Sequence, residues 1–203
     1  MEENYYINQT TIKILALFRT DYETAIHVRE IARNIQTDTK TVGIHLNRLE
    51  NINVLKSTIR GRNKEYQLNL DNPVTKYYVI LAETYTTITY LEGNYLIKKL
   101  TGEILDRIDG TVILYGSYAK GEATEDSDID LLVITDKKID RKAISETGKI
   151  MAKEINIKET NSVLFQEGVK ENDPLISEVI KNYIVLEKID SFVKAMWRYY
   201  VER

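Results

Sequence analysis

The 203-residue chain contains no cysteine. That excludes disulfides, thiolate-ligated zinc and a cysteine nucleophile, and it fits a cytoplasmic location. Histidine is almost as scarce, with His27 and His45 as the only two. A histidine-built metal site or catalytic triad is therefore not expected, and carboxylates must carry any catalysis. Proline occurs only at Pro73 and Pro174, each directly after Asn72 or Asp173, the order of a helix start. No apolar run reaches the length of a membrane span, and the polar, acidic opening Met1-Glu2-Glu3-Asn4 has no secretory character. No membrane partner is expected. Low-complexity stretches and internal repeats are absent.

What is present is an uneven charge. The net charge is −3, but residues 1–70 hold ten Lys/Arg against eight Asp/Glu, while residues 71–203 are acidic overall. The asymmetry matches a front part that meets polyanions and a back part that holds cations.

Residues 111–135 organise the chain. A β-branched apolar run over 111–115 predicts a buried strand. Gly116-Ser117 follows, where glycine permits a tight turn or a close approach of backbone to ligand. Residues 118–120 would open a helical turn with N–H groups free to meet an anion. After a polar, acidic loop, Asp128-Ile129-Asp130 leads into a second strand over 129–135. Side chains alternate along a strand, so Asp128 and Asp130 project from one side. Two adjacent carboxylates repel unless a cation sits between them, and hard oxygen ligands suit Mg²⁺ or Mn²⁺.

Gly116-Ser117, ten intervening residues and Asp128-x-Asp130 resemble the nucleotidyltransferase superfamily of DNA polymerase β. The wording G-S-Y-A-K-G…S-D-I-D-L-L-V is most similar to the minimal nucleotidyltransferases of prokaryotes, including those that act as antitoxins. The resemblance implies transfer of a nucleoside monophosphate from a triphosphate, with ATP expected, to an acceptor hydroxyl. Asp128 and Asp130 would hold Mg²⁺ or Mn²⁺, and Gly116 and Ser117 would hold the terminal phosphates. Lys120 either adds a point charge near the leaving pyrophosphate or is a solvated loop lysine. The superfamily also implies a third carboxylate on a neighbouring strand. Glu159 is the candidate, sharing strand parity with Ile155 and Ile157, and Glu154 is its rival; a solvated strand-end Glu159 is the plain alternative. A toxin protein adenylylated on tyrosine is the partner this resemblance implies.

The front of the chain reads as three helices and a hairpin. Helices are expected over 10–19, over 28–35, and from Asp38 as N-cap through residue 51. Val42, Leu46 and Leu49 would face the core. Thr39, Lys40, Thr41, His45 and Arg48 would lie outward or on the flank. Strands over 54–59 and 65–68 flank a basic turn at 60–64. This order resembles winged-helix regulators of the ArsR and MarR type, in which the third helix enters the major groove and the hairpin touches the backbone. Carried over, Thr39, Lys40, Thr41, His45 and Arg48 become groove contacts on double-stranded DNA, and Arg60, Arg62 and Lys64 become phosphate contacts. His45 alone would equally suit a solvated helix position. The same module could instead serve protein contacts only.

From Val74 a helical pattern places Tyr77, Leu81, Tyr85, Ile88, Leu91 and Tyr95 at spacings of three or four, interrupted near Gly93-Asn94. It reads as a connector and as the seam of a homodimer. Helices are expected from Asp140 to about Glu154, from Asn172-Asp173-Pro174 to Asn182, and over 191–200 after Asp190. A third strand is expected over 155–165, broken at Thr160-Asn161, with a short extended segment over 183–186.

The expected architecture is α+β. A winged helix-turn-helix DNA-binding domain spans 1–70 and a helical connector spans 71–109. A nucleotidyltransferase domain, a mixed sheet with flanking helices, spans 110–203. The competing reading is a transcriptional regulator whose back domain senses nucleotide or is catalytically inactive. A polymerase on nucleic-acid ends fits the acidic back half poorly, and nothing selects an aminoglycoside acceptor.

Overall fold

The computed structural model describes residues 7–61 and 63–202. The chain divides into two compact units, the described residues up to 85 with 200–202, and residues 86–199.

The first unit begins with α1 (Gln9–Ala16), β1 (Ile26–His27), α2 (Val28–Asn34) and α3 (Thr39–Asn51). The hairpin β2 (Leu55–Arg60) and β3 (Asn63–Leu68) follows, and then the first turns of α4 (Thr75–Gly93). Each helix start has a local cause. Asn8 accepts the Thr11 N–H, His27 accepts that of Arg29, and Asp38 accepts that of Thr41, each satisfying a donor with no partner inside the helix. β3 is the central strand of a three-stranded antiparallel sheet, between β1 and β2. Ile14, Phe18, Ile31, Val42, Leu46, Val54 and Leu68 are buried. Arg19 Nε meets the fully buried Glu83 at 3.0 Å, an ion pair that satisfies a charge no apolar core would tolerate alone.

In the second unit the end of α4 is followed by α5 (Tyr95–Ile104), a 3₁₀ turn (Leu105–Arg107) and β4 (Thr111–Tyr115). The short α6 (Gly116–Lys120), β5 (Ile129–Ile134), α7 (Arg141–Ile150) and β6 (Ile155–Thr160) come next. The unit closes with α8 (Ser162–Glu171), α9 (Pro174–Lys181), β7 (Ile184–Glu187) and α10 (Ile189–Val201). The sheet order is β6-β5-β4-β7. β5 and β6 are parallel, and the other pairs are antiparallel. This is a mixed sheet within an α+β unit.

Alternation along the strands divides the sheet's side chains between two faces. Val112, Leu114, Ile129, Leu131 and Val133 share one core cluster with Ile97, Leu100 and Ile104 of α5 and Ile144 of α7. Tyr115 and Asp130, paired across β4 and β5, belong to the other face. Every residue of β4 is buried, which explains its continuous apolar run.

Of the boundaries that depart from the sequence expectation, two flank β6. The third strand stops at Thr160, because Asn161 accepts the Leu164 N–H and starts α8. α7 stops at Ile150, well short of Glu154. Among the described residues, no helix is long and apolar enough to cross a membrane.

Candidate active site

The site grows from one end of the central strand pair. Tyr115 ends β4 opposite Asp130 in β5, so the chain leaving β4 turns directly beside that carboxylate. Gly116 makes the turn at φ +70°, a conformation open to glycine. A side chain there would also collide with Oδ2 of Asp130. Glycine thus suits both the backbone geometry and the carboxylate packed against it. The five residues of α6 follow, closed by Gly121 in the left-handed conformation. Tyr90 donates its hydroxyl to the Tyr118 carbonyl at 3.0 Å and anchors this turn to α4. Burial, and then the neighbouring Tyr118, push the Tyr90 phenol up to about 12.

The loop that returns to β5 is held by Lys153. Its ammonium donates to the carbonyls of Glu125 and Ser127 and lies 5.7 Å from the centre of the Tyr118 ring. Ser127 also accepts the Thr124 N–H at 2.8 Å. Asp128 is therefore delivered by an ordered loop.

Asp128 and Asp130 converge as expected. The amide of one residue, Asn156, reaches both, with Nδ2 donating to Oδ2 of Asp128 at 3.4 Å and to Oδ1 of Asp130 at 3.3 Å. Asn156 lies opposite Asp130 in the parallel β5–β6 register. Burial raises the Asp130 pKa most, the Asn156 hydrogen bond opposes that, and Asp128 and Glu178 add to the rise. Glu178, on α9, also pairs with Lys120 at 3.4 Å, and the Lys120 charge acts on Asp130 in the stabilising sense. Burial first, then Asp130 and Glu178, raise the Tyr115 phenol.

Glu159 is elsewhere. It pairs in register with Val133, three residues beyond Asp130 and of opposite parity, so it belongs to the other face of the sheet. Its carboxylate is engaged by Arg141, whose Nε lies 2.6 Å away. The third-carboxylate expectation for Glu159 is thus corrected by strand register. Glu154 is exposed, and its backbone carbonyl accepts the Ile129 N–H at 2.9 Å. Among the described residues, no group of three or more His, Asp or Glu side chains is placed to hold a metal. The donor set is two carboxylates and one amide. That set suits a Mg²⁺ or Mn²⁺ ion whose remaining ligands are phosphate oxygens and water, not a cage made wholly of protein.

The polyanion-facing candidates separate just as clearly. Thr39, Lys40 and Arg48 are exposed on α3, and Thr41 is half-buried behind the Asp38 cap. His45, expected outward or on the flank, is only 7% exposed, with its Nδ1 3.0 Å from the Thr11 hydroxyl. It completes the i, i+3, i+4, i+7 stripe of Val42, Leu46 and Leu49, and is corrected from a groove contact to a core residue. Lys64 turns onto Glu50 at 2.6 Å instead of standing free at the hairpin tip. Arg60 is exposed and lies 3.5 Å from Glu65. Arg62 lies outside the described residues.

The sequence reading missed Asn156, Glu178 and Lys153. Two of them are single residues made relevant by strand pairing or helix placement, for which the sequence has no local signal. Lys153 lies just before β6, far along the chain from the loop it holds, so it has no local signal either.

Residues 97–187 match the nucleotidyltransferase domain family. A protein of Methanocaldococcus jannaschii, provisionally named a protein adenylyltransferase, is 34% identical over 100 residues. That match covers 46% of this chain and 65% of the relative, so just under two thirds of the relative's length is spanned. Two solved structures are each 19% identical with a TM-score of 0.33. One is YusO of Bacillus subtilis, matched over 43% of this chain and 62% of that one. The other is a toxin–antitoxin complex with AMP-PNP, matched over 52% of this chain and 86% of that one. The paired carboxylates and the Gly-Ser turn lie within the residues that match the nucleotidyltransferase domain family.

Proposed function

We propose that the protein transfers a nucleoside monophosphate from a nucleoside triphosphate, ATP by preference, to a hydroxyl on a partner protein. The observation that carries this reading is the meeting of Asp128 and Asp130 beside the Gly116 turn. Asp128 and Asp130 hold the divalent cation, which supplies charge neutralisation for the triphosphate. Gly116 and Ser117 line the approach of the terminal phosphates. Lys120, balanced by Glu178, provides positive charge beside the acids. The provisional naming of the M. jannaschii relative supports a protein acceptor, and a toxin that carries an acceptor tyrosine is the partner class the reading favours.

The exposed Thr39, Lys40, Arg48 and Arg60 of the first unit support double-stranded DNA as a second ligand, read by a winged helix. Paired half-sites would then favour a homodimer. A protein with both functions suits control of its own operon.

The experiment is incubation of the full-length protein with labelled ATP, Mg²⁺ and candidate partner proteins. Label is expected to appear on a partner, to vanish in Asp128→Ala and Asp130→Ala, and to persist in Glu159→Gln. No labelling with any nucleotide would remove the enzymatic reading. One observation favours a second reading: the position opposite Asp130 holds an amide, not a carboxylate. In that case the domain binds nucleotide and transfers slowly or not at all, and serves a transcriptional regulator as a sensor.

A further inference from the structure

We infer that Asn156 is the third ligand of the cation site, and that its neutral amide makes the site accept a single divalent cation together with a triphosphate, not ahead of it. The inference rests on the metal–nucleotide reading of Asp128 and Asp130.

The argument begins with register. Parallel pairing sets Asn156 beside Asp130, and the strand parity that turns Asp130 toward Asp128 turns Asn156 toward both. Its Nδ2 is within 3.4 Å of one carboxylate and 3.3 Å of the other. An amide nitrogen carries two hydrogens, so one group can satisfy both acids at once. Asn156 thereby does part of what a cation does, placing positive hydrogens between two like charges.

A divalent cation entering this position must displace those hydrogens. Rotation of the amide about its last torsion exchanges Nδ2 for Oδ1, a neutral oxygen of the kind hard cations accept. The three groups then carry two negative charges, enough to balance one divalent ion. They leave no surplus charge to attract a second ion or to hold one firmly in water. Triphosphate oxygens supply the missing anionic ligands. The cation is therefore retained when nucleotide accompanies it, and Asn156 sets that order of binding.

The test is Mn²⁺ binding to the full-length protein, followed by electron paramagnetic resonance and calorimetry, with and without α,β-methylene-ATP. Wild type is expected to bind Mn²⁺ weakly alone and with a stoichiometry of one when the analogue is present. Asn156→Asp adds a charge without changing shape and is expected to tighten analogue-free Mn²⁺ binding by about tenfold or more. Asn156→Leu removes the oxygen and is expected to weaken analogue-dependent binding by about tenfold. Circular dichroism establishes that both variants are folded. Wild type binding free Mn²⁺ as tightly as Asn156→Asp would overturn the inference, as would Asn156→Leu matching wild type with the analogue. If Mn²⁺ fails to bind wild type even with the analogue, the metal–nucleotide reading itself falls.

Discussion

At Gly116 two demands coincide, a backbone at φ +70° and a carboxylate lying where a side chain would begin. Gly116→Ala therefore faces about 1 kcal/mol of backbone cost and must also push Asp130 aside. The expected outcome is a folded domain whose affinity for α,β-methylene-ATP with Mn²⁺ falls by more than about tenfold; retention of wild-type affinity would show that the turn does not shape the site. His45 makes a different prediction. Burial, then the Arg48 guanidinium, hold its imidazole below the ordinary value. The unfolded chain takes up a proton near pH 6.5, whereas the folded chain resists it. Stability is thus fully present above about pH 6.5 and declines as the pH falls toward the lowered folded value. Denaturant titrations of wild type and His45→Gln between pH 7.5 and 5 should show a smaller decline in the variant, and equal declines would contradict this role. The sequence contained the means to place His45, since positions 42, 45, 46 and 49 form a single helical stripe; the polarity of histidine concealed it. Glu159 was different. Its parity within β6 was correctly read, but only pairing with β5 decides which parity faces Asp130, and parallel register has no short-range signal.

Elements were more legible than contacts. Asp38, Asp140 and Asp173 each cap the helix expected after them, because a cap is a local hydrogen bond whose residues adjoin in sequence. β4 was legible as a continuous buried run. The start of α8 was not, because Asn161 serves equally as a turn residue or a helix cap until the chain beyond it is packed. β4 lies in the interior of its sheet, between β5 and β7. Leu114 is fully buried in the cluster shared with α5 and α7, so Leu114→Ala should cost about 2–5 kcal/mol. The only tryptophan, Trp197, lies in this second unit, and its fluorescence follows the unfolding. A loss below about 1 kcal/mol would mean that the strand is less central than its burial implies. Asp109 ties three segment ends together through Lys137 and Lys188, which hold its carboxyl down at about 2. That contribution is present above the ordinary aspartate range and is lost as the pH falls toward 2.

For the whole molecule, the question is whether one chain joins nucleotide chemistry to DNA recognition, and salt dependence answers it. Each phosphate neutralised by a lysine or arginine releases counterions, so affinity falls steeply with salt, by a slope of roughly 0.9 per contact. Lys40, Arg48 and Arg60 are exposed cations of the first unit, and the DNA reading rests on them. His45 is buried and does not enter the count, and Lys64 is held more closely by Glu50, at 2.6 Å, than Arg60 is by Glu65, at 3.5 Å. The triple variant Lys40→Ala, Arg48→Ala, Arg60→Ala should bind duplex DNA more weakly at every salt concentration, with a slope lower by about 2–3. On the proposed function, which assigns the Asp128 charge to the nucleotide, Asp128→Ala should leave both affinity and slope unchanged. Fluorescence anisotropy on operator-length duplexes between 50 and 300 mM salt measures both quantities. A triple variant with the wild-type slope would remove the DNA reading and leave the first unit as a protein-binding module. A change in slope caused by Asp128→Ala would instead show that the acids of the second unit act on DNA directly, and the division of labour between the two units would have to be redrawn.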